Sequence, residues 1–193
     1  LLKEKLIQYI NEQSRNELKV FKEEKEYLTK HHLTDFPIVE IEPEQRFSDA
    51  YIERCDKASE DLIRNESASF LTQPLVYLYK HKNEFVYVES KWFDFVNVDA
   101  VSIELDDVFG TYDVMLGLKL QKKYSLKLRT FLEHHLHGEK ANYDFMFNQQ
   151  EGLWDLNFAL NAVDGFDENM TIGEGLQMIY RLLFQLTEAM EEN

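Results

Sequence analysis

One cysteine, three prolines and seven glycines are spread over 193 residues, and each scarcity excludes something. A lone thiol, Cys55, permits neither an intramolecular disulfide nor a cysteine-rich zinc cluster, and it suits a reducing compartment. Few prolines and glycines argue against long disordered or linker-like tracts. No run approaches the roughly 18–20 consecutive apolar residues of a membrane span. The opening LLKEKLIQYINEQ is charged from its third residue and has no apolar core of signal-peptide type. These features predict a cytoplasmic protein without membrane association. Catalytic signatures are missing too: there is no glycine-rich phosphate loop, no G-x-S-x-G elbow and no dinucleotide fingerprint.

Positive charge is also in short supply. The chain has 21 Lys and Arg against 36 Asp and Glu, a formal net charge of −15. Such a molecule repels nucleic-acid phosphate over most of its surface, so no nucleic-acid partner is expected. The imbalance is uneven. Residues 139–193 hold eleven acids against Lys140 and Arg181, whereas Lys119, Lys122, Lys123, Lys127 and Arg129 form a run without acids. That run is expected to lie against the acidic C-terminal helix as a salt-bridge surface.

What the chain does have is apolar and aromatic material: 44% hydrophobic residues, with 14 Phe, 10 Tyr and 2 Trp. This is enough for a substantial core. Leu2, Leu6, Ile10, Leu18, Phe21 and Leu28 recur at helical spacing, with Ser14 and Glu17 as a capping box. They predict an N-terminal helical arm and connector over 1–47, followed by an α+β domain over 48–193. FPIVEIEPE (36–44) reads as a short extended segment. A helix is expected from Ser48, burying Ala50, Tyr51, Ile52, Cys55, Ala58, Leu62 and Ile63. Strands follow at 74–81, 84–90, 92–107 and 111–121. A helix capped by Ser125 and stopped by Gly138 comes next, then an aromatic hairpin over 142–162. Thr171 and Glu174 form a capping box for the last helix. The sum is an antiparallel sheet of about six strands, a meander plus a C-terminal hairpin, with helices packed on one face. The order of elements over residues 48–191 resembles the α-βββ-α-ββ-α arrangement of type III secretion chaperones and related YbjN-like proteins, with one strand more. It rests on element order alone.

Two constellations hold candidate chemistry. EHHLHGE (133–139) places Glu133, His134 and His137 at helical spacings of three and four, so a Zn²⁺ or Fe²⁺ ion could use two of them. Histidines at a helix C-terminus are equally explained by the exposed carbonyls there. His31 and His32 end the helical arm in the same way. ELDDVFGTYD (104–113) gathers Glu104, Asp106, Asp107 and Asp113, and VDGFDEN (163–169) gathers Asp164, Asp167 and Glu168. Paired carboxylates suit Mg²⁺ or general acid–base work, but neither stretch has calcium-loop spacing, and turns favour Asp without any ligand. The leading expectation is a non-enzymatic protein-binding module, of chaperone, immunity or inhibitor kind. It needs no cofactor, and its exposed sheet face or its arm would dock a protein partner or a second copy in a homodimer. The alternative is a metal-dependent hydrolase built on His134 and His137 with Asp106 and Asp107.

Overall fold

The computed structural model describes residues 1–13, 17–138 and 141–191. The expected Ser14 cap and Glu139 lie outside them. The architecture is α+β. A seven-stranded, wholly antiparallel sheet runs in the order β4-β3-β5-β6-β7-β9-β8. Its strands are β3 (Tyr51–Asp56), β4 (Leu62–Glu66), β5 (Glu84–Glu89), β6 (Val98–Asp106), β7 (Thr111–Leu118), β8 (Tyr143–Asn148) and β9 (Leu153–Ala159). A separate two-stranded parallel ribbon, β1 (Leu18–Val20) with β2 (Ile38–Glu40), belongs to the N-terminal arm. The helices are α1 (Leu2–Glu12), α2 (Lys22–Lys30), α3 (Val76–Lys80), α4 (Ser125–His135) and α5 (Ile172–Glu191).

Alternating side chains decide which sheet face is covered. On β9, Trp154, Leu156 and Phe158 are buried while Asp155 and Asn157 are exposed. The same inner face takes Ile52, Val86, Val88, Val101, Ile103, Val114 and Leu116. Helix α5 lies in this core. Its first turn is closed by the reciprocal box: Glu174 N–H donates to Thr171 Oγ1 (3.1 Å), and Thr171 N–H to Glu174 Oε2 (2.7 Å). Burial extends beyond one stripe of α5, taking in Ile172, Leu176, Ile179, Tyr180, Leu183 and also Leu182, Leu186 and Thr187. The reason is that the N-terminal arm packs onto α5. Leu2, Leu6, Ile10, Leu18, Phe21 and Leu28 are all buried in the same hydrophobic cluster as the sheet. The arm therefore lays this apolar stripe on its own domain.

Five expectations of secondary structure need correction. Leu18, expected on the helical arm, lies in strand β1, where Leu18 and Val20 are buried on one side and Lys19 is exposed. Residues 48–63 are not a helix but the β3–β4 hairpin. Ile52 and Cys55 are both buried, three apart, yet they project to opposite faces of β3, so their spacing only imitates a helical stripe. Residues 74–81 hold the short α3 rather than a strand, with Leu75 and Leu78 buried on one side. The stretch 91–96 is a tight 3₁₀ turn ending at Asn97 (φ 61°), and β6 begins only at Val98. Ser125 is the first residue of α4, not its cap; the cap position is Tyr124, with no side-chain capping hydrogen bond. The α-βββ-α-ββ-α order is present from α3 to α5, with β3 and β4 added at the sheet edge.

Candidate functional site

The EHHLHGE stretch straddles the end of α4. Glu133, His134 and His135 are helical, but the helix stops there. Leu136 turns extended and bridges Val163, and His137 N–H donates to Ala162 O (2.9 Å). His137 thus leaves the helix face on which it was expected to stand beside Glu133 and His134. His134 Nδ1 lies 2.7 Å from Thr130 O and His135 Nδ1 2.8 Å from Phe131 O, so each ring contacts a carbonyl of its own last turns. The His135 ring also stacks on Phe131 at 3.8 Å. His31 sits across α5, 3.8 Å from Glu188. No group of three or more His, Cys, Asp or Glu side chains suited to a metal is found among the described residues.

The acidic turns have structural work. Asp106 Oδ1 accepts the N–H groups of Val108 (2.8 Å) and Phe109 (3.1 Å), which shapes the β6–β7 turn. Gly110 closes it with φ 64°, a left-handed conformation that favours glycine. Asp107 stays exposed at the tip. Asp167 plays the same part, accepting from Asn169 N–H at 2.8 Å. Part of the basic run turns away from α5, while Lys127 lines a cleft with Ala189 and Met190 at the C-terminal end of that helix. Lys122 lies over the Phe147 ring (5.7 Å) and Arg129 over Phe145 (5.2 Å), so these cations cover the aromatic hairpin. Acids of α5 are also met by the arm: Lys30 pairs with Glu188 at 2.7 Å, and Tyr27 OH donates to Glu191 at 2.6 Å.

The arm is further tied down by a buried ionic knot that sequence reasoning did not single out. Arg46 is 2% exposed and Glu24 is 0% exposed. Arg46 donates to Glu24 Oε1 (2.7 Å) and to Glu23 Oε2 (2.5 Å). Tyr180 OH, from α5, donates to Glu24 Oε1 (2.5 Å), and Phe21 N–H to Glu24 Oε2 (3.1 Å). The guanidinium is sandwiched between the rings of Tyr180 (3.8 Å) and Phe21 (4.2 Å). Burial, with the Glu24 charge adding, raises the Tyr180 phenol well above its usual value. Every partner is satisfied, so this cluster is a fastening of the fold.

The outer face of the sheet carries no helix among the described residues. Antiparallel partners project to the same side, so register assigns the residues. One row runs Glu53, Tyr87, Ser102, Met115, Asn157 and Asp144 from β3 to β8. The rows on either side contribute Cys55, Phe85, Glu104 and Asp113, and Tyr51, Glu89, Asp155 and Met146. The result is an aromatic and methionine centre ringed by six carboxylates: Glu53, Glu89, Glu104, Asp113, Asp144 and Asp155. Lys57 is tied to Glu104 (3.1 Å) and to Leu105 O, and Lys119 to Asp99. Burial raises the Asp113 carboxyl above its ordinary value, and the neighbouring Asp106 charge adds to this. The Tyr87 phenol is likewise raised by burial and by its hydrogen bond to Glu89. The face thus concentrates negative potential around apolar side chains. At the β6–β7 end it terminates in Val108 and Phe109, which are 80% and 67% exposed.

Cys55, on this face, is buried, and burial with the nearby Glu53 charge pushes its thiol up, away from nucleophilic character. No helix is long and apolar enough to cross a membrane among the described residues. Comparison of the chain with family models, with curated proteins and with solved structures found no match in any of the three.

Proposed function

We propose that this protein is a non-catalytic binding module, of inhibitor, immunity or chaperone kind, and that its outer sheet face docks a positively charged protein partner. One observation carries the reading: six carboxylates surround Tyr87, Phe85 and Met115 on a sheet face that no helix covers. An apolar centre with a charged surround is the anatomy of a protein contact surface. The negative field suits a basic partner, because it speeds encounter and rejects acidic competitors. With the arm covered in cis, the reading needs no second copy of the chain.

The test compares two baits in the cytoplasmic extract in which the protein is expected to act. One is the wild type. The other carries Glu89→Lys, Asp144→Lys and Asp155→Lys, all three at exposed positions of the outer face. The expected result is a protein of basic isoelectric point retained by the first bait and lost from the second. Retention by both, or a partner that is acidic, rejects the assignment.

A further inference from the structure

We propose that the cleft at the β6–β7 end of the sheet receives one organic cation, an alkylammonium or guanidinium group, presented by the partner as a lysine or arginine side chain. The proposal rests on the docking reading for the source of the cation, but the cleft's chemistry stands on its own residues. The cleft encloses about 640 Å³, within the size range of ordinary ligand sites, roughly 300–1,000 Å³. Val76 and Tyr79 reach it from α3, Phe109 and Tyr112 from the β6–β7 turn and β7, and Asn161 and Glu168 from the segments before α5. The fold thus brings the two acidic turns, ELDDVFGTYD and VDGFDEN, to the lining of one cavity.

Three aromatic rings and a carboxylate are the chemistry of cation recognition. The negative faces of the rings and the Glu168 charge act in the same direction. An anion would be repelled, and an apolar group would strip water from Glu168 without compensation. Glu168 forms no ion pair with any described residue. Burial raises the Tyr112 phenol, and the charges of Glu168 and Tyr79 raise it further, so these three groups are close enough to feel one another. The Tyr79 ring already has Lys82 Nζ over it at 5.2 Å, a cation that an incoming one must displace or share the ring with. The Tyr112 wall is fixed: its N–H donates to Asn161 Oδ1 at 2.7 Å. Phe109 links the cleft to the outer face, since it follows Asp106 in the turn that borders both.

The experiment titrates the full chain with capped amino acids and follows amide resonances by NMR. The probes are Nα-acetyl-lysine methylamide, Nα-acetyl-arginine methylamide and the neutral Nα-acetyl-norleucine methylamide. Saturable millimolar binding of both cations is expected, with shifts confined to residues 76–79, 109–112 and 161–169, and the neutral probe is expected to bind at least about five-fold more weakly. Glu168→Gln and Tyr79→Ala should each weaken the cations about five-fold or more while the melting temperature is unchanged. No saturation by roughly 50 mM, equal binding of norleucine, or indifference to both substitutions overturns the proposal. Putrescine binding about ten-fold tighter than capped lysine would assign the site to a free amine and overturn the partner side chain as the source. The triple lysine variant of the outer face should bind the capped cations as the wild type does. Failure of the docking face is thereby distinguishable from failure of the cleft.

Discussion

Arg46→Ala removes the cation at the centre of the buried knot. Three hydrogen bonds to carboxylates go with it, at 2.7 and 3.3 Å to Glu24 and 2.5 Å to Glu23, together with the stacking on Tyr180 and Phe21. Glu24 stays behind at 0% exposure, still accepting from Tyr180 OH and Phe21 N–H but with no counter-charge among the described residues. Removing one partner of a buried pair costs on the order of 3–5 kcal/mol, chiefly because the other charge is left uncompensated. For a chain of this size about 4 kcal/mol corresponds to a melting temperature lower by roughly 8–16 °C. Urea unfolding followed by circular dichroism reads the same loss as a lower midpoint with an unchanged slope. The double variant Glu24→Gln, Arg46→Met removes both charges at similar volume and should recover to within roughly 2 kcal/mol of wild type. A single variant within about 1 kcal/mol of wild type, or a double variant as unstable as the single, refutes the view that the knot fastens the arm to α5.

Asp106→Ala should cost about 1 kcal/mol by opening the β6–β7 turn, whereas Asp107→Ala, at the exposed tip, should stay within about 0.5 kcal/mol; equal effects by thermal melting would contradict the turn-capping role. His134→Gln with His137→Gln should change stability by less than about 1 kcal/mol, and stoichiometric Zn²⁺ should not raise the melting temperature, since binding to the native state would show as stabilisation. A zinc-dependent rise lost in the double variant would favour the metal reading. The phenols of Tyr180, Tyr27 and Tyr87 are raised in the folded protein, mainly by burial. Above a pH of about 10 the unfolded chain releases these protons while the folded chain keeps them, so stability is intact below that pH and falls as pH rises through it. Tyr180→Phe should flatten that alkaline decline; an unaltered slope in urea titrations between pH 9 and 11 (roughly one unit either side of the free phenol value) would count against it.

Much of the fold was legible where one periodicity dominates. The hairpin of Tyr143–Asn148 and Leu153–Ala159 reads directly because every second residue of β9 meets the core. The last helix reads from Thr171 and Glu174, whose box needs only local geometry. Legibility failed where burial comes from both sides of an element. Ile52 and Cys55 are buried on opposite faces of β3, and that defeats a rule built on one buried face. Leu75 caps, and Leu78 sits in, a five-residue helix too short to establish a period. The candidate sites were less visible still. The outer face is formed by register across six strands, and no local stretch displays it. Glu168 and Phe109 meet across a cleft although about sixty residues part them in sequence, a separation that only the sheet order closes. Arg46 carried no signal beyond being one base in an acidic chain.

The docking face is tested most directly by calorimetric titration of the captured partner, once purified, into the wild type and into the Glu89→Lys, Asp144→Lys, Asp155→Lys variant. The account predicts binding that weakens with rising ionic strength, and a loss of at least about ten-fold in affinity in the variant, as charge complementarity requires. Equal affinity for the two proteins, insensitive to salt, would contradict it.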